Sequence, residues 1–201
     1  MVGMGAEATF AGMNPADLET AIRSSIATKH RLLESCVPQI EALCDRSIQC
    51  LAAGGKLMFC GNGGSSCDAA HAAGELVGWF ENHDRPGYAA IALGHDVPTI
   101  TAIANDSTFE MIFARQLLAI GKPEDMLIGI STSGGSKNVV SAIDAARKVG
   151  MTVGVLVSER AGPMAEMADV AVRVPSDNTA RIQECHLLCV HMLCAAIEAA
   201  L

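Results

Sequence analysis

Twice in this chain a short apolar run breaks into glycines and hydroxyls and then opens a helical pattern. Leu57-Met58-Phe59-Cys60 runs into Gly61-Asn62-Gly63-Gly64-Ser65-Ser66, and the run ending at Ile130 is followed by Ser131-Thr132-Ser133-Gly134-Gly135-Ser136. A strand that becomes a helix through such a loop gathers backbone N–H groups and hydroxyls where an anion can sit. Neither loop matches a nucleotide fingerprint: no Lys-Ser/Thr pair marks a P-loop and no G-x-G-x-x-G spacing marks a Rossmann turn. Either loop alone reads most simply as an ordinary strand-to-helix turn in which Ser66 or Ser136 is only an N-cap. Two of them in one chain point to a shared phosphorylated ligand, with both loops facing the same end of a sheet.

The pattern around the loops supplies that sheet. Residues 1–13 carry three glycines and no sustained period, and are expected to form a mobile tail. Asn14-Pro15 then reads as an N-cap and first helical residue, with Leu18, Ile22, Ile26 and Leu32 at helical spacing. After Pro38 the pattern repeats through Ile40, Leu43, Cys44, Ile48 and Leu51 until Gly54-Gly55, giving an N-terminal helical pair that either docks a partner or packs on its own domain. From Lys56 strands are expected at 57–60, 88–93, 126–130, 152–157 and 170–174. Helices are expected at 66–80, 109–120, 136–149 and from about Asn178. Five strands joined by crossovers imply an α/β fold, a five-stranded parallel sheet flanked by helices on both faces, in one domain spanning 14–201 with helices 14–53 included.

Net charge is −8 with no Lys/Arg cluster, which argues against nucleic acid and anionic membrane as partners, and leaves a phosphate to be held mostly by neutral donors. Lys137, next to the second loop, is an optional charge. Half the residues are hydrophobic and only 18% charged, so some surface is expected to be covered by other copies of the chain. The eight cysteines lie along apolar faces without C-x-x-C spacing and read as buried reduced thiols. No charged start with a following apolar run opens the chain, and no segment reaches 18 apolar residues uninterrupted, so a cytoplasmic location is expected.

Asp68, His71 and Glu75 share one face of the helix behind the first loop, and the His71/Glu75 spacing suits metal ligation. Gln183, His186 and His191 are the polar residues of an apolar terminal helix, and helical geometry does not choose between the two histidines. A carboxylate and an imidazole beside phosphate loops are the minimum kit for moving a proton between adjacent carbons of a sugar phosphate.

Cys-Gly-Asn-Gly-Gly-Ser at 60–65 and Gly-Ile-Ser-Thr-Ser-Gly-x-Ser at 129–136, with the order of elements around them, resemble the sugar isomerase, or SIS, fold. Arg85-Pro86-Gly87-Tyr88, Asn105-Asp106 and Arg181-Ile182-Gln183-Glu184-x-His186 narrow the resemblance to the sedoheptulose 7-phosphate isomerases, also called phosphoheptose isomerases. That resemblance implies an aldose-ketose isomerase converting D-sedoheptulose 7-phosphate to D-glycero-D-manno-heptose 7-phosphate, the start of heptose supply for surface polysaccharide. It implies Glu75 as the base and His191 as the complementary acid/base. It implies a zinc ion on His71, Glu75, Gln183 and His191. It further implies substrate contacts from Asn62, Gly63, Gly64, Ser65, Glu75, Asn105, Asp106, Ser131, Thr132, Ser133, Ser136 and Gln183, and a homotetramer with sites shared between subunits.

One departure stands out. Four residues after Glu75, where these isomerases usually carry arginine, this chain has Trp79, so the length of sugar accepted is not implied by the resemblance. An alternative is a non-catalytic SIS module like the bacterial replication-initiation factor that binds DnaA, which Ile103-Ala104-Asn105-Asp106 and Ala180-Arg181-Ile182-Gln183-Glu184 resemble; retention of Glu75 and His191 argues against it.

Overall fold

The computed structural model describes residues 14–201, and the expected tail over 1–13 lies outside the described residues. Asn14 opens the first helix, α1 (Pro15–Ser35), as the N-terminal signal requires: its side chain accepts from Ala16 and Asp17 N–H while Asp17 reaches back to the Asn14 N–H at 2.9 Å. α2 (Val37–Ala52) follows after Cys36 alone. Five strands then alternate with helices: β1 (Leu57–Gly61), α3 (Gly64–Val77), β2 (Ala90–Ala92), α4 (Val97–Asp106), α5 (Ile112–Ile120), β3 (Met126–Ile130), α6 (Lys137–Val149), β4 (Thr152–Ser158), α7 (Gly162–Met167), β5 (Val170–Val174) and α8 (Thr179–Ala200).

All pairings are parallel and the spatial order is β2-β1-β3-β4-β5. Successive residues of each strand point to opposite faces. Leu57 and Phe59 enter one core with α1, α2, α3 and α8, and Met58 and Cys60 enter the other with α5, α6 and α7. The order reverses between β1 and β3, and in such sheets the carboxyl ends of the two strands at that reversal form the ligand crevice. These are the strands that carry the two loops, so both loops do face one end.

The strand and helix boundaries depart from the sequence reading in instructive places. α4 and α7 were not expected. α4 has no fully buried residue, and Asp96 at its N-cap position makes no side-chain cap bond. The expected helix 109–120 begins as a 3₁₀ turn at Phe109–Met111 before α5. The expected strand 88–93 is paired only over Ala90–Ala92. Cys67 is exposed on α3, while the other seven cysteines are buried and all eight are free.

α1 departs most. Of its expected apolar stripe only Leu32 is buried, while Leu18, Ile22 and Ile26 are 49%, 62% and 51% exposed. α8 is long and apolar enough by composition to cross a membrane, yet Ile182, Cys185, Cys189, Val190, Leu193, Cys194 and Ile197 are buried in the core it shares with β4, β5, α2 and α3.

Candidate active site

The first loop turns at Gly63, whose φ of 57° lies where a side chain is disfavoured, and Ser65 N–H closes it by donating to Asn62 O at 3.0 Å. The second turns at Gly134, φ 65°, with its N–H donating to Ser131 O at 3.2 Å. The serine caps of the simpler alternative reading are absent: Gly63 occupies the N-cap of α3, and Ser136 sits at the N-cap of α6 without bonding a helix N–H. Instead the Ser136 hydroxyl is 2.9 Å from that of Ser131, which is 3.3 Å from that of Ser133. Three hydroxyls thus converge at a helix N-terminus, an arrangement suited to phosphate oxygens. Lys137 turns away, its Nζ 3.1 Å from Glu110.

The loops are joined by a residue the motif reading missed. Asn62 and Asn138 exchange two hydrogen bonds, Nδ2 of each donating to Oδ1 of the other at 2.8 Å. Asn138 is 3% exposed. A lone asparagine inside a helical pattern carries no signal of this, because the pairing depends on strand order. The Asn62 amide, expected to meet substrate, is therefore engaged in holding the two loops together.

Behind the first loop, α3 and α8 run side by side in the same direction. Gln183 near the start of α8 lies against Gly64 at the start of α3, where an added Cβ would strike its amide. Further along, His191 faces His71. The His71 Nε2 is 3.0 Å from Glu75 Oε1 and 3.3 Å from His191 Nε2, with the His71 and Glu75 side chains 38% and 27% exposed. A bond to the carboxylate puts the hydrogen on His71 Nε2, and the His191 Nε2 lone pair then faces that hydrogen. Phe80 stacks on the His191 ring, centroids 5.6 Å apart. Asp68, on the same face of α3, has a buried Oδ2 without a hydrogen-bond partner, and burial pushes its carboxyl up to about 6 while the nearby His71 pulls it down.

The structure separates the two histidines that the helical projection did not. His186 is fully buried, its Nε2 donating to Val157 O at 3.3 Å; burial pushes its pKa down to about 4 against the pull of that carbonyl. It is a core residue, and His191 belongs to the site.

Among the expected zinc ligands, His71, Glu75 and His191 are brought together as a chain through His71 Nε2, and Gln183 makes no hydrogen bond to them. Among the described residues no three His, Cys, Asp or Glu side chains form a closed metal cage. Donor atoms on a tetrahedral zinc at ~2.0–2.1 Å stand about 3.3–3.4 Å apart, so the residues fit such an ion in donor chemistry and in the two spacings measured from His71 Nε2, 3.0 and 3.3 Å.

Asn105 and Asp106 stand apart from both loops at the end of α4. Asn105 Nδ2 donates to Asp106 Oδ1 at 2.8 Å, and Asp106 borders a cavity of about 350 Å³ with Ile103, Met111 and Arg115. Trp79 is 57% exposed and stacks on His83, ring centroids 5.8 Å apart.

Residues 22–158 match the model of the SIS domain family. A phosphoheptose isomerase of Shewanella sediminis is 46% identical over 184 residues, which is 90% of this chain and 93% of that protein. A phosphoheptose isomerase structure from Francisella tularensis superposes with TM-score 0.89 at 39% identity, covering 93% of this chain and 100% of the other. One from Neisseria gonorrhoeae superposes with TM-score 0.87 at 38% identity over 92% and 98% of the two chains. With the two hydroxyl loops at the reversal of the sheet and a carboxylate–imidazole pair on the helix that follows the first of them, the chain belongs to the phosphoheptose isomerases of the SIS domain family.

Proposed function

We propose that the protein is an aldose-ketose isomerase that interconverts D-sedoheptulose 7-phosphate and D-glycero-D-manno-heptose 7-phosphate. The observation that carries the reading is the line Glu75–His71–His191 along the helix that follows the first hydroxyl loop, on a chain whose relatives bear the isomerase name. The serine hydroxyls of the second loop and the N-terminus of α6 hold the phosphate, and the first loop walls the sugar. Glu75 takes the proton from C1 of the open ketose, and the C–H electrons become the double bond of an enediol(ate). The proton returns to C2 while His191 serves the two oxygens, giving one to the oxygen at C2 and accepting one from the hydroxyl at C1. No atom is gained or lost. In the absence of zinc, His71 aligns both groups through its Nε2–H.

His71, Glu75 and His191, with Gln183 as the fourth donor, would hold zinc, which when bound supplies Lewis-acid polarisation of substrate oxygens. Glu75 Oε1 faces His71, so its second oxygen is left for the proton. Asn105 and Asp106 reach the sugar in an assembly of several copies, and a homotetramer with shared sites fits the exposed apolar residues of α1. Eight free cysteines fit a reducing cytoplasm. The non-catalytic alternative is not favoured, since its distinguishing feature is loss of the groups retained here.

Sedoheptulose 7-phosphate incubated with the protein, with and without added zinc, should yield an aldose phosphate. Glu75→Gln should lower kcat by a factor on the order of 10²–10⁴ while the circular dichroism spectrum is kept. Absence of turnover by folded, zinc-supplied protein on every ketose phosphate of five to eight carbons would sink the reading.

A further inference from the structure

A depression of about 360 Å³ lies on the β4 side of the second loop, bordered by Thr132, Ser133, Ser158, Arg160, Asp177 and Thr179. Four of these six carry hydroxyls. Ser158 is 2% exposed.

Arg160 is presented to this cavity by a constrained backbone. Gly162 N–H donates to Arg160 O at 2.7 Å across Ala161, whose φ of 60° and ψ of −42° make a γ-turn, a conformation uncommon for a residue with a side chain. The turn lies directly on the hydroxyl loop: Met164 N–H donates to Gly134 O at 3.2 Å, and a Cβ on Gly134 would strike Ala161 O. Arg160 and Ser133 therefore ride on two backbones in contact. Among the described residues the Arg160 guanidinium is held only by Asp177, Nη2 to Oδ2 at 3.4 Å, with both side chains about 70% exposed (73% and 68%). Such a pair stabilises little and is readily exchanged for a better anion. The neighbouring cation, Lys137, lies with its Nζ 3.1 Å from Glu110.

We propose that this cavity receives the phosphate end of the substrate, with Arg160 as the cation that closes on it and Asp177 as the counter-ion that holds Arg160 in reserve. The proposal rests on the sugar-phosphate reading above. It deepens that reading by adding a charged, specificity-determining contact to a loop that otherwise offers neutral donors.

Two substitutions move affinity in opposite directions. Arg160→Gln removes a charge-assisted bond and should raise KM for the sugar phosphate about tenfold while kcat stays within about twofold. Asp177→Asn frees the guanidinium and should lower KM about threefold. Lys137→Gln should leave KM unchanged. Thermal shift with inorganic phosphate reads the same site without turnover: the rise in Tm should shrink in Arg160→Gln and grow in Asp177→Asn. Unchanged KM and phosphate response in both variants overturns the proposal, as does an equal loss in Lys137→Gln, which would mark a general field effect. An Arg160-dependent phosphate response in a protein that isomerises no ketose phosphate keeps the anion site and removes the isomerase reading instead.

Discussion

His186 and His191 lie five positions apart on α8 and meet opposite environments. Because α8 is apolar nearly all round, its sequence pattern could not say which histidine was enclosed; the answer lies in β4, whose Val157 carbonyl accepts a hydrogen bond from His186 Nε2–H. The consequence is a pH dependence. The folded state holds His186 neutral down to about 4, whereas the unfolded chain protonates it near 6.5, so protons favour unfolding between those values. Stability from this residue is complete above about pH 6.5 and falls by about 3 kcal/mol as pH drops to about 4. His186→Gln, which keeps a donor for Val157 O, should flatten that limb in urea titrations across the range. The loops, Glu75 and His71 were legible because each belongs to a local pattern; Asn138 and Arg160 were not, because strand order alone brings them to the site.

Between elements, the parallel course of α3 and α8 is fixed at its far end by Arg85 and Glu198. Arg85 donates from Nε to Glu198 at 2.5 Å, and from its two Nη atoms to the carbonyls of Glu75, Leu76 and Pro86, with side chains 4% and 6% exposed. Glu198 also accepts the N–H groups of Phe80, Glu81 and Asn82. Burial pushes the Glu198 carboxyl up, but Arg85 and the three N–H groups outweigh this and hold it at about 2. Its contribution is therefore present above about pH 4.5 and lost as pH falls toward 2, below the His186 limb. Glu198→Gln should remove this lower limb and reduce Tm by several degrees, a larger drop than loss of the exposed Arg23–Glu19 pair produces. The motif Arg85-Pro86-Gly87-Tyr88 was visible in the sequence; its work of capping the helix that carries Glu75 was not, since the partner lies 113 positions away. α4 and α7 escaped notice although each has a proline in its first turn: neither has a side-chain cap bond, and α7 is only six residues long.

For the whole molecule, strand number, parallel sense and helical layers followed from the alternation of short apolar runs with helical periods. What that alternation cannot state is where an apolar stripe points. On α1 it points outward, through Leu18, Ile22 and Ile26, and Val97, Phe109 and Leu33 are likewise 66%, 59% and 66% exposed. The homotetramer proposed above would cover such a surface. Ile22→Glu should lower the mass measured by light scattering relative to the parent at equal concentration, with helix content unchanged. The amide clasp between Asn62 and Asn138 bears on any redesign of the protein. Each asparagine supplies both the donor and the acceptor the other needs, so replacing one strands a buried amide on its partner. The two loops are a single cassette, to be recut together, and a library that varies the first while keeping Asn138 will recover well-folded members chiefly where Asn62 survives.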